Sequence, residues 1–293
     1  MGQYYKLINI DKKEYIDPGD FGQGLKLMEH SYTDNEYTNA LLYLLKDRWK
    51  GDRVYEVGDY AVADDEDEPF YATLLTVQEE FNIKPDLDES CTLYAYATKH
   101  FKNISGQIKS KSKHVKRLRY IYNTETCEYI DLQDGPIQWV YYDFETDKLY
   151  TARIFPLTLL LAMGNKRGGG DYYSKASDDL VGSWCASAQY LEIDSVLRAD
   201  YVPFSPDFTE INEIIEDTPE LKLEAKAHAY DNYKSRIQYA VDEAKPAHES
   251  ESAKVVDFIY DKQKKVYLAT LTLHGETYKV PFKRDAYNWF HYA

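Results

Sequence analysis

Cysteine is scarce. Cys91, Cys127 and Cys185 are the only three in 293 residues, and they lie far apart. Without a Cys-x-x-Cys pair, neither a zinc site nor a disulfide framework is indicated, and a reducing compartment fits best. Seven histidines include no His-x-x-x-His pair, which removes the simplest helical metal site. The Gly-x-Ser-x-Gly elbow, the P-loop and the Gly-x-Gly-x-x-Gly fingerprint are missing too. No cofactor and no metal are therefore expected, and the balance leans away from an enzyme. No run approaches the ~18 apolar residues of a membrane span, and the opening MGQYYKLINIDKKEY has no apolar signal core. Lys6 stands where a myristoylation signal needs serine or threonine. The expectation is a cytoplasmic chain with no membrane partner. Cations are in deficit, 35 Lys and Arg against 50 Asp and Glu, for a net charge of −15. Direct binding to nucleic acid is not expected, because phosphate recognition needs clustered cations.

What is present is an ordinary globular balance, 44% hydrophobic and 29% charged, with one anomaly. Tyrosine occurs 29 times. Its ring buries well while its hydroxyl stays polar, so it is favoured in strands and in protein interfaces.

Residues Tyr4 to Asp17 read as a β-hairpin closed by Pro18, Gly19 and Asp20. Leu25 to Met28 and Leu41 to Leu45 predict two short helices broken near Ser31 to Asn35. Val54 to Val62 returns as a strand, and the acidic run Asp64 to Glu68 reads as a solvated loop. The first hairpin has a counterpart at a constant offset. Asn9, Glu14, Tyr15, Ile16 and Asp17 recur as Asn123, Glu128, Tyr129, Ile130 and Asp131. Downstream, a leucine-rich segment, a tryptophan (Trp49 or Trp184) and a strand-like run follow in both, which suggests a diverged duplication. Trp139 to Ile154 and Val255 to Leu271 have the same hairpin chemistry around polar turns. Lys109 to Arg119 is a basic linker, or an internal partner for the acidic loop. Residues Ile211 to Ala244 read as helix. The closing aromatics Tyr287, Trp289, Phe290 and Tyr292 are expected to dock on the body.

The stretch Gly164 to Trp184, GNKRGGGDYYSKASDDLVGSW, stands apart. Three consecutive glycines lose more conformational entropy on folding than any other tripeptide, so something must require them. Their amides can form an anion-cradling nest with Lys166 and Arg167 supplying charge. The candidate site is thus Lys166, Arg167, Gly168, Gly169, Gly170, Asp171 and Trp184, for an anion or for a partner's acidic side chain. The alternative is a tight structural loop in which Arg167 and Asp171 pair.

MGQYYKLINIDKKEYIDP, GLKLMEH, GNKRGGGDYYS and VGSW together resemble an uncharacterised family of bacterial and phage proteins. Its members open Met-Gly-Gln-Tyr and contain an Asn-Gly-Arg-Gly-Gly-Gly-Asp segment before a Val-Gly-x-Trp. Here Lys166 replaces the glycine before Arg167. The resemblance covers residues 1–60 and 119–193, and it implies a mobile-element context with no established activity. The fold class expected is α+β: two diverged β-hairpin–helix–strand units with a helical and hairpin C-terminal part. The expected divisions are 1–108, 119–200 and 201–293. The leading function is an acidic, Tyr-rich interaction protein, a phage-encoded inhibitor of a host enzyme or defence complex. The second is a nucleotide- or anion-binding enzyme or sensor using the loop 164–171.

Overall fold

The computed structural model describes residues 2–63, 66–67, 69–83, 92–111, 115, 118–164, 180–205, 218, 220–244, 253–285 and 289–293. The chain divides into two units, residues 1–139 with 152–215, and residues 140–151 with 216–293. Both helices and strands in mixed sheets are present, so the class is α+β.

The first unit opens with β1 (Tyr5–Asn9) and β2 (Glu14–Ile16), then α1 (Leu27–His30), α2 (Glu36–Lys46) and β3 (Val54–Gly58). Next come α3 (Tyr71–Glu80), α4 (Leu93–His100), β4 (Lys102–Asn103) and α5 (Ser105–Ile108). A second hairpin, β5 (Tyr120–Asn123) and β6 (Glu128–Asp131), precedes the paired strands β7 (Ile137–Asp143) and β8 (Lys148–Arg153), of which residues 140–151 belong to the second unit. The unit ends with α6 (Pro156–Leu160), β9 (Ala162–Met163), β10 (Leu191–Asp194) and β11 (Val202–Pro203). Helix α2 forms because Asn35 caps it, its side-chain Oδ1 accepting from the Thr38 amide at 2.8 Å. Tyr37, Leu41, Leu44 and Leu45 then share one buried face, the spacing of an amphipathic helix. The same Asn35 donates to the carbonyls of His30 and Tyr32, which fixes the break between α1 and α2.

Two sheets carry this unit, in the orders β4-β2-β1-β3-β9 and β10-β5-β6-β11. The two hairpins match residue for residue. Leu7, Ile8 and Asn9 face Ile16, Tyr15 and Glu14, while Ile121, Tyr122 and Asn123 face Ile130, Tyr129 and Glu128. In both sheets an antiparallel strand (β3 or β10) flanks the first hairpin strand, and a two-residue parallel strand (β4 or β11) flanks the second. The tryptophans behave differently. Trp49 donates its indole N–H to Glu14, whereas the Trp184 ring rests on Phe204 with centroids 5.1 Å apart.

In the second unit, α7 (Leu221–Glu243) lies with the antiparallel sheet β12 (Lys254–Asp261), β13 (Val266–Leu273), β14 (Glu276–Arg284) and β15 (Phe290–Tyr292), in that order. Residues 211–217 and 219 of the expected helix are outside the described residues. Tyr233, Ile237 and Val241 recur every fourth position as the buried stripe of α7. They meet Phe258, Tyr267, Phe282 and Phe290 in one core, against which Tyr141 and Phe144 pack.

Four hairpins share one turn. Asn9, Asn123, Asp143 and Asp261 each end a strand, and each accepts backbone N–H bonds from the turn that follows. The last residue of each turn, Lys13, Cys127, Asp147 or Lys265, has φ between 52° and 57°. The side chain thus supplies the acceptor that an isolated turn lacks.

Candidate functional site

Lys166, Arg167, Gly168, Gly169, Gly170 and Asp171 lie outside the described residues; the segment's two ends do not. At the first, a Cβ on Gly164 would fall 2.2 Å from the Tyr5 hydroxyl and 2.9 Å from Gln3 Oε1. At the second, Gly182 has φ +77°, with Phe70 Cδ1 at 2.7 Å and the Ala162 carbonyl at 2.8 Å from where a Cβ would stand. Only glycine fits either place. The Gly182 amide donates to Leu159 O, and the Trp184 amide to Leu160 O. Trp184 is buried. The Val-Gly-x-Trp therefore docks the returning chain on α6 and β9, and the Trp184 ring belongs to the core.

A buried polar cluster occupies the centre of the first unit. Both Glu56 carboxylate oxygens stand 2.8 Å from the Tyr37 hydroxyl. His30 Nε2 is 3.2 Å from Glu56 Oε1 without forming a hydrogen bond. His30 Nδ1 lies 3.0 Å from the Gly24 carbonyl. A carbonyl can only accept, so Nδ1 carries a hydrogen and the other ring nitrogen is turned to the carboxylate. Burial first, then the Glu56 carboxylate, push the Tyr37 phenol well above its ordinary pKa. All three side chains are fully buried, so the cluster belongs to the core.

The second unit has its own polar cluster. Arg284 donates to the hydroxyls of Tyr141 and Tyr233, and to Asp143 and Glu145. Tyr267 also donates to Glu145, at 3.1 Å. Desolvation foremost raises the Tyr233 and Tyr267 phenols above their ordinary range, which makes neither a nucleophile near neutral pH. With two carboxylates already on it, the guanidinium is not an anion site.

The surface feature that stands out is a groove of about 500 Å³ between the C-terminal end of α7 and strand β15. It is lined by Tyr239, Ala240, Glu243, Trp289, Phe290 and Tyr292, among others. Tyr239, Trp289 and Tyr292 are 53%, 50% and 47% exposed. Tyr239 falls off the every-fourth stripe of α7, which is why its ring stays outside. Its centroid is 5.7 Å from that of Trp289, and the Tyr292 ring lies against Phe282 at 4.6 Å. Of the closing aromatics, Phe290 is buried in the core, whereas Trp289 and Tyr292 pack by one side of the ring and stay half-exposed. Tyr287 is outside the described residues. Burial first and then the Asp242 carboxylate raise the Tyr292 phenol above its ordinary pKa.

Among the described residues no three His, Cys, Asp or Glu side chains are placed to hold a metal. No helix among them is long and apolar enough to cross a membrane. Comparison with protein-family models, with curated proteins and with solved structures finds no match.

Proposed function

We propose that the chain is an interaction protein whose contact surface is the aromatic groove beside β15. In keeping with the resemblance to phage proteins, its target is a bacterial enzyme or defence complex that it inhibits by binding. One observation carries this reading: three half-exposed aromatic side chains, Tyr239, Trp289 and Tyr292, gather round one open groove. Aromatic rings offer large apolar area at small entropic cost, and tryptophan and tyrosine dominate the binding energy of protein interfaces. The polar clusters support it from the other side, because both are enclosed or already saturated.

The test is affinity capture from a bacterial lysate with the parent chain and with the double variant Trp289→Ala/Tyr292→Ala. Each captured protein is then purified and its affinity measured by calorimetry. At least a tenfold loss is expected, about 1.4 kcal/mol. Val196→Ala, an exposed apolar residue of the first unit, should change nothing. A partner that binds parent and double variant equally would end the reading.

A further inference from the structure

We propose that β15 accepts an added strand: an extended segment of a partner chain, carrying an arginine or lysine, that lies in the groove against α7. This rests on the interaction reading above and specifies its partner. The first support is backbone geometry. Strand β15 pairs with β14 in the register Phe290–Arg284, His291–Lys283 and Tyr292–Phe282. The Ala293 amide donates to Pro281 O, and the Asp285 amide to Trp289 O. In an antiparallel ladder hydrogen-bonded residues alternate with non-bonded ones. Trp289, His291 and Ala293 therefore turn their backbone groups inward to β14. Phe290 and Tyr292 turn theirs outward, two N–H and two C=O groups on an edge that no described strand covers. Such an edge is a template for pairing.

The second support is shape. A segment paired to Phe290 and Tyr292 lies between β15 and the Tyr239–Glu243 turn of α7, the space that the groove encloses. Alternate side chains of the segment then point onto the rings of Tyr239 and Tyr292, the spacing a strand's period of two supplies.

Charge decides the third point. The second unit as a whole is nearly balanced, with 16 acidic and 13 basic residues, so the sign that matters is local. Glu243 lines the groove without an ion pair among the described residues. His291, which also lines the groove, is 3.1 Å from Asp285. Among the described residues no lysine or arginine lines the groove. A guanidinium or ammonium stacked over Trp289 or Tyr239 and reaching Glu243 satisfies rings and carboxylate together.

The test uses the full chain, a displayed library of random decapeptides as probe, and the variants Tyr292→Pro, Tyr292→Ala, Glu243→Gln and Glu243→Lys. Because the Tyr292 amide faces outward, proline removes an edge donor without removing a bond to β14. Proline and alanine lose the same phenol, so their difference reports the backbone. Selected peptides should carry a basic residue within alternating β-branched or aromatic positions. Tyr292→Pro should bind them at least fivefold more weakly than Tyr292→Ala at unchanged melting temperature. Glu243→Gln should weaken binding severalfold, and Glu243→Lys should reverse the charge preference. If proline lowers the melting temperature, N-methylation of alternate peptide amides removes the same bonds from the ligand side. Peptides without a basic preference, equal binding by the proline and alanine variants, or a dimer dissolved by Tyr292→Pro would each overturn the proposal. The two readings fail separately. A captured protein lost with Trp289→Ala/Tyr292→Ala, while no basic strand is selected, overturns strand addition alone. Strand binding with capture unaffected overturns the interaction reading of the natural partner alone.

Discussion

The Glu56 carboxylate sits in the core with the Tyr37 hydroxyl 2.8 Å from both of its oxygens, and at the matching position of the other sheet there is an isoleucine. Leu7 and Ile121 occupy equal places in the two hairpins, and their partners on the flanking strands are Glu56 and Ile193. A site that one sheet fills with hydrocarbon is thus filled in the other by a fully buried acid with a phenol and an imidazole around it. Removing one member leaves the others desolvated and unsatisfied, the costly half of any buried polar arrangement. Glu56→Ala should therefore destabilise by about 3–5 kcal/mol, and Tyr37→Phe by about 1–3 kcal/mol. The double variant Glu56→Ala/Tyr37→Phe should cost less than the two added, since both lose one contact. Urea denaturation of the three variants checks this; strict additivity would mean that the contact is not energetically coupled.

The shared hairpin turn gives a sharper local test. Lys265 has φ 53°, where a β-branched side chain clashes with its own backbone. Lys265→Val should cost about 1–2 kcal/mol, while Lys264→Val, one residue earlier, should stay within about 0.5 kcal/mol of the parent. Asp261→Ala removes the acceptor for the Gln263 and Lys264 amides and should cost about 1 kcal/mol. Thermal melts of these variants decide it, and equal effects at 264 and 265 would show that the turn's backbone is not the cause.

That turn also explains how much of the fold the residues disclose. Asn or Asp, a mostly polar turn and then a β-branched or aromatic run is a short-range signal, so β1–β2, β5–β6, β7–β8 and β12–β13 are all readable. The strand β14 is not, because Pro281 lies inside it and proline argues against a strand. The register resolves this: Pro281 faces Ala293, outside the β14–β15 pairs, where a missing N–H disturbs nothing. Glu56 is hidden for a different reason. Strand β3 is covered on both faces, so no alternation marks one side as solvent, and an acid there reads as exposed. The groove was half legible. Trp289 and Tyr292 are visible as aromatics, yet whether they dock depends on where α7 ends relative to β15, which no local pattern encodes. The glycine run attracts notice by composition, but the need for Gly164 and Gly182 comes from Tyr5 and Phe70, which are distant in sequence.

Acid should unfold the protein through a definable set of carboxylates. Asp11 and Asp131 lie below their ordinary 3.8 and Glu14 below its ordinary 4.5. In each, burial alone would raise the pKa; hydrogen bonds from Arg53 to Asp11, from Arg119 to Asp131, and from Arg48 and Trp49 to Glu14 outweigh it. A depressed folded pKa means that the unfolded chain takes up protons first as pH falls. The stability these groups contribute is whole above about 4.5 and is lost as pH drops through their folded values. Urea midpoints should be level with respect to these groups between about pH 7 and 5.5, and decline below about 4.5. Asp131→Asn should be less stable than the parent at pH 7 and converge on it near pH 3. Curves that stay parallel across that range would remove the Arg119–Asp131 pair from the account.

Arg284 sets the last expectation. Its guanidinium joins Tyr141, Asp143 and Glu145 at the β7–β8 turn to Tyr233 on α7, all within the second unit. The side chain is only 13% exposed, so its charge is stabilised by partners rather than by water. A planar fork with several donors can meet four acceptors at once, which a lysine ammonium with three donors cannot. Arg284→Lys should therefore be far from conservative. We expect it to destabilise by about 1–3 kcal/mol through hydrogen bonds left unmade. Arg284→Met keeps much of the apolar stem but leaves Asp143 and Glu145 without their cation, and should cost about 3–5 kcal/mol. Removing the carboxylates as well, in Asp143→Asn/Glu145→Gln/Arg284→Met, should recover part of that loss, because the uncompensated charge causes most of it. Amide exchange read along the chain gives the decisive pattern. Protection should fall first at 140–151 and along α7 in Arg284→Met, and the triple variant should restore it in part. Protection unchanged at 140–151 would show that the β7–β8 turn is held by Phe144 and its aromatic neighbours, Tyr142, Tyr233 and Phe258, rather than by the guanidinium.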